Sequence, residues 1–341
     1  MLNSAMLDAR FALTAVLLAG CAAAPPPSSA PAVAPVATSV VPATPVAAAD
    51  PPPAAVTPRG AAARVRKAKV LLSDDALGAS LPLVDVTVGG LPAQLILDTG
   101  ASHHVIAGWL AREIGVAPSG SAGSATAHGG DKLGVGRLEG VTLAISGYGS
   151  VDASALLVTE MPEDMRRRGI GGVISPQALV APGRAVLLDL AAGELTEVSE
   201  SAGATWLEGK GQPFDGIHAC ARVGAGALVA QATIDGEEAG LQLDTGSTTT
   251  SLAVQSPLGK RFDKRSKGTS TQITASGLHT VPTVLGAVVK LGPFASELNL
   301  DLIPRAPTRG CGDGYAGMDV LRSCALLIGG GGARLWCGAR R

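Results

Sequence analysis

Two short acidic triplets are the residues of this sequence whose types and spacing could do chemistry together. Asp98-Thr99-Gly100 and Asp244-Thr245-Gly246 stand 146 positions apart in a chain of 341 residues. Two carboxylates held close together cannot both ionise, so such a pair keeps one proton over a wide pH range. The ionised member can take a proton from water while the protonated member gives one to a carbonyl oxygen. A pair of this kind could hydrolyse an amide bond.

Each triplet lies in the same local context, which indicates an internal duplication. Residues 81–97 and residues 228–243 both predict a strand, a glycine-containing turn and a second strand that ends at the triplet. A second pair of segments further along the chain repeats at nearly the same interval, with Gly172 and Gly317 as the matching glycines. The sequence therefore predicts two equivalent lobes.

The composition favours strands and tight turns in both lobes. The chain has 45 glycines and only 3% aromatic residues, and glycine supplies the positive φ angles that tight turns need. We predict an all-β protein with two duplicated, barrel-like lobes, residues 78–201 and residues 214–341, and a site between them. The formal net charge of −1 lacks the basic excess of a nucleic-acid-binding protein, which argues against nucleic acid as a partner.

The paired hydrophobic-hydrophobic-Asp-Thr-Gly segments, each followed by a downstream glycine motif, resemble the pepsin and retropepsin superfamily of aspartic peptidases. The short lobes and the Asp-Thr-Gly-Ala of lobe one are closer to retropepsin-like bacterial proteins. The resemblance implies a bilobal fold with Asp98 and Asp244 as the catalytic pair. It also implies a peptide or unfolded protein as substrate, no cofactor, and a monomer.

The remaining triplet residues have supporting roles by the same resemblance. Thr99 and Thr245 would cross-link the two loops beneath the pair through their hydroxyl groups. Gly100 and Gly246 would let the backbone approach the carboxylates closely.

The residues after the triplets differ, and this predicts a division of roles. Ser247 follows the second triplet and is expected to donate a hydrogen bond to Asp244, which would favour its ionised form. Ala101 follows the first triplet and cannot do this for Asp98. We therefore expect Asp98 to hold the shared proton more often.

A glycine-rich, mobile hairpin is expected to cover the cleft from lobe one. Its tip carries His128, Gly129 and Gly130, which we expect to contact substrate. The hairpin lacks the tyrosine that pepsins have there, so the side-chain preference stays open. The counterpart in lobe two is expected near residues 271–280.

The first 65 residues predict an exported and anchored protein. Residues 10–18 form an apolar run that is too short to span a bilayer, and Leu18-Ala19-Gly20-Cys21 resembles a bacterial lipobox. Residues 1–21 would then be a signal peptide, with Cys21 as the lipidated residue; the alternative is an ordinary signal peptide with a chance cysteine. Residues 22–65 are rich in Ala and Pro and predict a disordered tether. We expect a lipid-anchored protein of the bacterial cell envelope, at the outer membrane or facing the periplasm.

The other four cysteines all lie in the second half of the chain. An even number in an exported chain suggests two disulfides. A two-residue turn at residues 330–331 would place Cys324 opposite Cys337, which leaves Cys220 to pair with Cys311. A zinc site is the alternative, but the close Cys-x-x-Cys pairs typical of such sites are missing, and we predict no metal.

A lipoprotein that keeps this fold but only binds peptides or assists assembly is the alternative to an enzyme. Such a protein would not need both carboxylates, both threonines and both glycines, so the sequence favours an aspartic endopeptidase. Cleavage of unfolded protein by a fragment from Ala62 onward, compared with Asp98→Asn and Asp244→Asn, separates the two readings.

Overall fold

The computed structural model describes residues 65–73, 81–126, 132–154, 156–220, 226–274, 277–305, 311–330 and 332–338. The first half of this part of the chain contributes thirteen strands: β1 Lys67–Lys69, β2 Leu71–Leu72, β3 Pro82–Val88, β4 Leu91–Leu97, β5 Val105–Ala107, β6 Ser121–Thr126, β7 Lys132–Arg137, β8 Leu143–Ile145, β9 Gly149–Val151, β10 Leu157–Thr159, β11 Ile170–Ile174, β12 Arg184–Asp189 and β13 Glu194–Ser199.

The second half contributes ten: β14 Phe214–Cys220, β15 Ala227–Ile234, β16 Glu237–Leu243, β17 Ser251–Ala253, β18 Gly268–Thr274, β19 Gly277–Leu291, β20 Phe294–Ile303, β21 Gly314–Ala316, β22 Cys324–Gly329 and β23 Gly332–Cys337. The helices are short: α1 Gly108–Glu113, α2 Glu163–Arg167, α3 Glu200–Glu208, α4 Pro257–Asp263, α5 Met318–Leu321 and the 3-10 helix Gln177–Leu179. No helix in the described ranges is long and apolar enough to cross a membrane.

The two lobes have the same strand order, which confirms the predicted all-β, duplicated fold. Lobe one runs β6-β7-β10-β5-β11-β4-β3 across its sheet, and lobe two runs β18-β19-β20-β17-β21-β16-β15. The first hairpin of each lobe also has the same turn. Gly89 and Gly90 have φ angles of 54° and 90°, and Asp235 and Gly236 have 51° and 85°, as a two-residue turn with two positive φ angles requires.

A six-stranded sheet joins the lobes, in the order β1-β13-β12-β22-β23-β14. Its centre is the antiparallel pair β12 and β22, where Leu187 lies opposite Leu327. Helix α3 packs on this sheet through Leu207 and begins where the Ser199 hydroxyl accepts a hydrogen bond from the Ala202 N–H at 3.2 Å. One continuous hydrophobic cluster extends from lobe one through the sheet into lobe two.

The predicted start of lobe one at residue 78 is too late. Strand β1 pairs with β13, and β2 pairs with β3, so the fold begins close to Val65. The short β1 covers the edge of the interlobe sheet, which would otherwise expose unpaired backbone groups. At the other end of lobe one, α3 continues past residue 201. Cys21 and the rest of residues 1–64 lie outside the described residues.

In each lobe, one strand is inserted beside the strand that carries the acidic triplet. Strand β11 lies between β4 and β5, parallel to β4 and antiparallel to β5, and β21 lies in the same way between β16 and β17. A β-carbon at Gly172 would lie 2.0 Å from the Val105 carbonyl oxygen, and one at Gly314 would lie 1.9 Å from the Ser251 carbonyl oxygen. Only glycine fits at these two crossings.

The glycine that corresponds to Gly172 is therefore Gly314, and the predicted match of Gly172 with Gly317 is wrong. Strand register makes Gly317 equivalent to Ser175, because Ile174 and Ala316 occupy the same place beside the two triplet-bearing strands. Equivalent residues of the two lobes are 142 positions apart in sequence at this strand and 146 positions apart at the triplets. The segments between the triplet and the inserted strand differ in length in the two lobes. A constant sequence interval therefore matched Gly172 with the wrong glycine.

The structure has both predicted disulfides. Cys324 and Cys337 lie opposite each other on β22 and β23, with their Cα atoms 3.9 Å apart. Cys220 and Cys311, with Cα atoms 5.7 Å apart, connect the end of β14 to the segment before β21. All four cysteines outside the N-terminal region are thereby in disulfides.

We predict that Gly172→Ala lowers the stability of the fold by about 3 kcal/mol or more, because the added methyl group would meet a backbone carbonyl that cannot move aside cheaply. Gly134→Ala on β7 is the matched control, since a β-carbon there has no atom within 4 Å. Chemical unfolding measures both. Equal losses for the two variants would contradict the close crossing at Gly172.

Candidate active site

The two acidic triplets begin at equivalent points of the fold. Strand β4 ends at Leu97, and the Asp98 N–H donates a hydrogen bond to the Ile174 carbonyl at 2.8 Å. Strand β16 ends one residue before Asp244, whose N–H donates to the Ala316 carbonyl at 2.9 Å. The inserted strands β11 and β21 therefore fix where each triplet leaves its sheet.

Thr99 and Thr245 cross-link the two triplets beneath the carboxylates. The Thr99 N–H donates to the Thr245 hydroxyl at 3.0 Å, and the Thr245 N–H donates to the Thr99 hydroxyl at 3.1 Å. Each hydroxyl in turn donates to the carbonyl before the opposite aspartate: Thr99 to Leu243 at 2.9 Å and Thr245 to Leu97 at 2.6 Å. Both threonines thus bond across the lobes in the way that the family resemblance implies.

The glycine of each triplet lies against the carboxylate of the other triplet. A β-carbon at Gly100 would lie 2.7 Å from Cγ of Asp244, and a β-carbon at Gly246 would lie 2.6 Å from Cγ of Asp98. Each glycine N–H also donates to the carboxylate of its own triplet, at 2.7 Å in lobe one and 3.0 Å in lobe two. Any larger residue at either glycine would push the opposite carboxylate away.

Both carboxyl groups are fully buried at this junction. Burial raises the pKa of Asp98 from 3.8 to about 7, because removing the group from water disfavours its charged form. A hydrogen bond shared with the Asp244 carboxyl group, and hydrogen bonds from the N–H groups of Gly100, Ala101 and Gly246, lower the pKa in part. Burial also raises the pKa of the Tyr315 hydroxyl, and the two aspartates add to that increase, which places this phenol near the pair.

Ser247 does not hydrogen-bond to the Asp244 carboxylate, and that prediction is wrong. Its hydroxyl donates instead to the Thr249 carbonyl at 2.8 Å. The turn after the second triplet brings this carbonyl within reach, and the single hydroxyl proton cannot serve both acceptors. The contrast between Ser247 and Ala101 therefore does not explain how the two aspartates differ.

The predicted hairpins exist in both lobes, as β6-β7 and β18-β19. In lobe one, Val135 of β7 packs in the same apolar cluster as Ala101 and Val105, so this hairpin lies beside the first triplet. His128, Gly129 and Gly130 lie outside the described residues. Their contact with substrate stays a prediction.

Two glutamines that we did not predict support the first triplet. Gln177 donates from Nε2 to the Thr99 carbonyl at 2.6 Å, and Gln242 donates from the other lobe to the Gly100 carbonyl at 3.3 Å. Both side chains are buried. They hold the carbonyl groups of two consecutive peptide units, Thr99–Gly100 and Gly100–Ala101, and thereby limit how far these units can turn.

Two further buried residues connect the triplet loops to the inserted strands. The Ser175 N–H donates to Nδ1 of His104 at 3.2 Å, and the Gly317 N–H donates to the Thr250 hydroxyl at 3.1 Å. In lobe two, Asp319 extends this network by accepting from the Thr250 N–H and hydroxyl at 2.8 and 2.6 Å. His104 and Thr250 each stand six residues after the aspartate, and that shared offset was a signal in the sequence.

Comparison with known proteins gives a family match within the first lobe. Residues 84–174, which span the first triplet and β11, match the family model described as Aspartyl protease. No curated protein matches the chain. Among solved structures, an aspartic proteinase from Irpex lacteus matches with 11% sequence identity and a TM-score of 0.45, over 81% of this chain and 98% of that one.

The family match covers only the first lobe, whereas the triplet, its threonine and its glycine occur in both lobes with the same bonds. The second lobe is thus a structural copy of the part that the family model describes. Residues 84–174 are thus similar to the family described as Aspartyl protease, and the second lobe repeats the strand order of the first.

Proposed function

We propose that the chain is an aspartic endopeptidase that hydrolyses peptide bonds with a water molecule activated by Asp98 and Asp244. The observation that carries this proposal is the reciprocal packing of each triplet glycine against the opposite carboxylate. This packing holds two buried acids side by side. Two such acids share a proton and can act as base and acid in one step. The similarity of residues 84–174 to the family described as Aspartyl protease does not depend on this step.

The chemistry divides between the two carboxyl groups. We assign the proton to Asp98, whose pKa is raised to about 7 by burial, and the ionised state to Asp244. Water gives a proton to Asp244 while its oxygen adds to the carbonyl carbon, and Asp98 gives its proton to the carbonyl oxygen. The C–N bond then breaks as the nitrogen takes the proton from Asp244. Asp98 recovers a proton from one of the two hydroxyl groups, and this returns both acids to their starting states.

The arrangement also supports the expected substrate and oligomeric state. Hairpins β6-β7 and β18-β19 occur in both lobes, as expected for a site that encloses an extended peptide or an unfolded protein segment. One chain supplies both triplets and all four threonine hydrogen bonds. We therefore propose a monomer, since no second copy is needed to complete the site.

We predict that Asp98→Asn and Asp244→Asn each reduce kcat for cleavage of an unfolded protein by a factor of about 1,000 or more, because an amide cannot exchange the shared proton. Asp85→Asn is the matched control, since Asp85 is exposed on β3 of the same lobe and should retain wild-type activity. If the wild type cleaves no faster than the two site variants, the proposal is wrong.

We predict that activity falls as the pH rises through about 7. Asp98 loses its proton in that range, and the pair then has no acid to give. The same shift means that the folded state holds this proton more tightly than the unfolded state. Its contribution to stability is therefore present below pH 3.8 and is lost as the pH rises through about 7. A pH-rate profile measures the descending limb, and half-loss of activity below pH 5 in a folded enzyme would contradict the assignment.

We also propose that the enzyme is tethered to the bacterial cell envelope through a lipid on Cys21, as the lipobox-like sequence suggests. Metabolic labelling with a radioactive fatty acid should mark the wild-type protein and should not mark Cys21→Ala. Equal labelling of both proteins, or none in either, would remove the anchor from the proposal and leave the peptidase unaffected.

A further inference from the structure

The two lobes differ sharply along one row of residues beside the carboxylates. Cross-strand pairing runs through five adjacent strands in each lobe, and paired residues project from the same face of a sheet. We call each set the inner row. In lobe one the inner row is Leu83, Ile96, Val173, Val105 and Leu157. In lobe two it is Val229, Gln242, Tyr315, Ser251 and Asp301.

The inner rows lie next to the reacting groups. Ile96 and Gln242 each stand two residues before an aspartate, and residues two apart on a strand project from the same face. Gln242 reaches the first triplet directly through its bond to the Gly100 carbonyl. Each row therefore extends from a triplet along the inner face of its lobe.

The lobe-one inner row is apolar, whereas four of the five residues in lobe two are polar. Every member of both rows is buried, with Gln242 and Ser251 at 0% and Asp301 at 2% exposure. A duplicated fold can evidently fill these positions with aliphatic side chains, because lobe one does so. The polar residues of lobe two are thus not required by the architecture.

The lobe-two inner row, together with Gln272 of β18 that bonds to Asp301 of this row, leaves hydrogen-bonding capacity unused. Asp301 is satisfied by Ser270 and Thr283 on one oxygen, at 2.7 and 2.9 Å, and by Gln272 on the other at 2.9 Å. In contrast, Oε1 of Gln242, Oε1 of Gln272 and the Ser251 hydroxyl are buried with no hydrogen-bond partner in the described part of the chain. Buried polar atoms are costly unless they bond to something.

A purely structural role explains only some of these polar side chains. The Gln242 amide nitrogen braces Gly100, but its oxygen has no such use, and bracing does not account for Ser251 or Gln272. The unused atoms are mainly acceptors, namely two amide oxygens and one hydroxyl. Their common requirement is a group that donates hydrogen bonds.

We propose that the lobe-two inner row recognises a hydrogen-bond-donating side chain of the substrate, next to the scissile bond, while the lobe-one inner row accepts an apolar one. The inference rests on the proposed function and adds a substrate class to it. An apolar side chain on the lobe-two side would leave the amide oxygens unpaired, and such sites reject analogues that lack the donor.

Cleavage of a proteome-derived peptide library by the wild-type enzyme tests the proposal. At one of the two residues flanking the cut, we expect Gln to exceed the similarly sized Met by about tenfold, with apolar residues preferred on the other side. Comparing Asn, Gln, Ser and Thr with Lys and Arg separates neutral donors from cations. Apolar preference on both sides would overturn the proposal and leave ordered water as the partner of these atoms.

Two variants assign the preference to the lobe-two inner row. Gln242→Met keeps the side-chain size and removes the amide, so the Gln-to-Met ratio should fall to about one, whatever happens to the rate. Ile96→Met is the matched control at the equivalent position of lobe one and should leave that ratio unchanged. An unaltered ratio in Gln242→Met would overturn the assignment.

Binding to the Asp98→Asn protein separates this inference from the proposed function. Peptide pairs that carry Gln or Met at each position in turn should include one pair that differs about tenfold in Kd. If the wild type cleaves nothing but this difference is found, the peptidase proposal fails and the recognition stands. If cleavage occurs without a donor preference and the two peptides of every pair bind equally, the recognition fails and the peptidase proposal stands.

Discussion

The reciprocal hydrogen bonds between Thr99 and Thr245 are the constraint on which the rest of the site depends. Each hydroxyl accepts from the opposite N–H and donates to the carbonyl before the opposite aspartate. A sliding of one lobe against the other would lengthen all four bonds together. Residues 146 positions apart are therefore held in one geometry, and the interlobe sheet supplies the apolar packing behind it.

This constraint makes the burial of two carboxyl groups possible. Bringing both acids out of water is unfavourable when both are charged, and the raised pKa of Asp98 is the electrostatic result. Gly100 and Gly246 have no side chains that would separate the acids. The pair therefore stays close together and keeps a proton, which reduces the repulsion between the two carboxyl groups. The two lobes share one backbone arrangement around the acids but differ in the neighbouring side chains. Ile96 in lobe one and Gln242 in lobe two occupy equivalent positions.

Much of the fold and the centre of the site could be predicted, because local patterns determine them. A strand, a glycine turn and a second strand before Asp98 and Asp244 are visible in the sequence, and a two-residue turn sets Cys324 opposite Cys337. The register of strand β21 could not be predicted from local sequence patterns. Gly314 and Gly317 are both glycines near the expected interval, and only pairing with β16 and β17 distinguishes them.

Individual side-chain contacts were the least predictable part of the structure. Ser247 had two possible acceptors, and the path of the following turn decides in favour of the Thr249 carbonyl. Gln242 contacts Gly100 only because the two lobes pack together. The residues around Gln242 in the sequence therefore do not predict this contact. Strand β1 was missed because an edge strand of three residues, Lys67–Lys69, has little pattern of its own.

The central claim is that Asp98 and Asp244 share one proton that is lost only as the pH rises through about 7. Carbon NMR of protein labelled at the aspartate carboxyl carbons reports each titration directly. The account predicts a resonance that titrates near pH 7 in the wild type and is absent from the spectrum of Asp98→Asn. A wild-type spectrum in which every aspartate titrates near its ordinary value of 3.8 would contradict it.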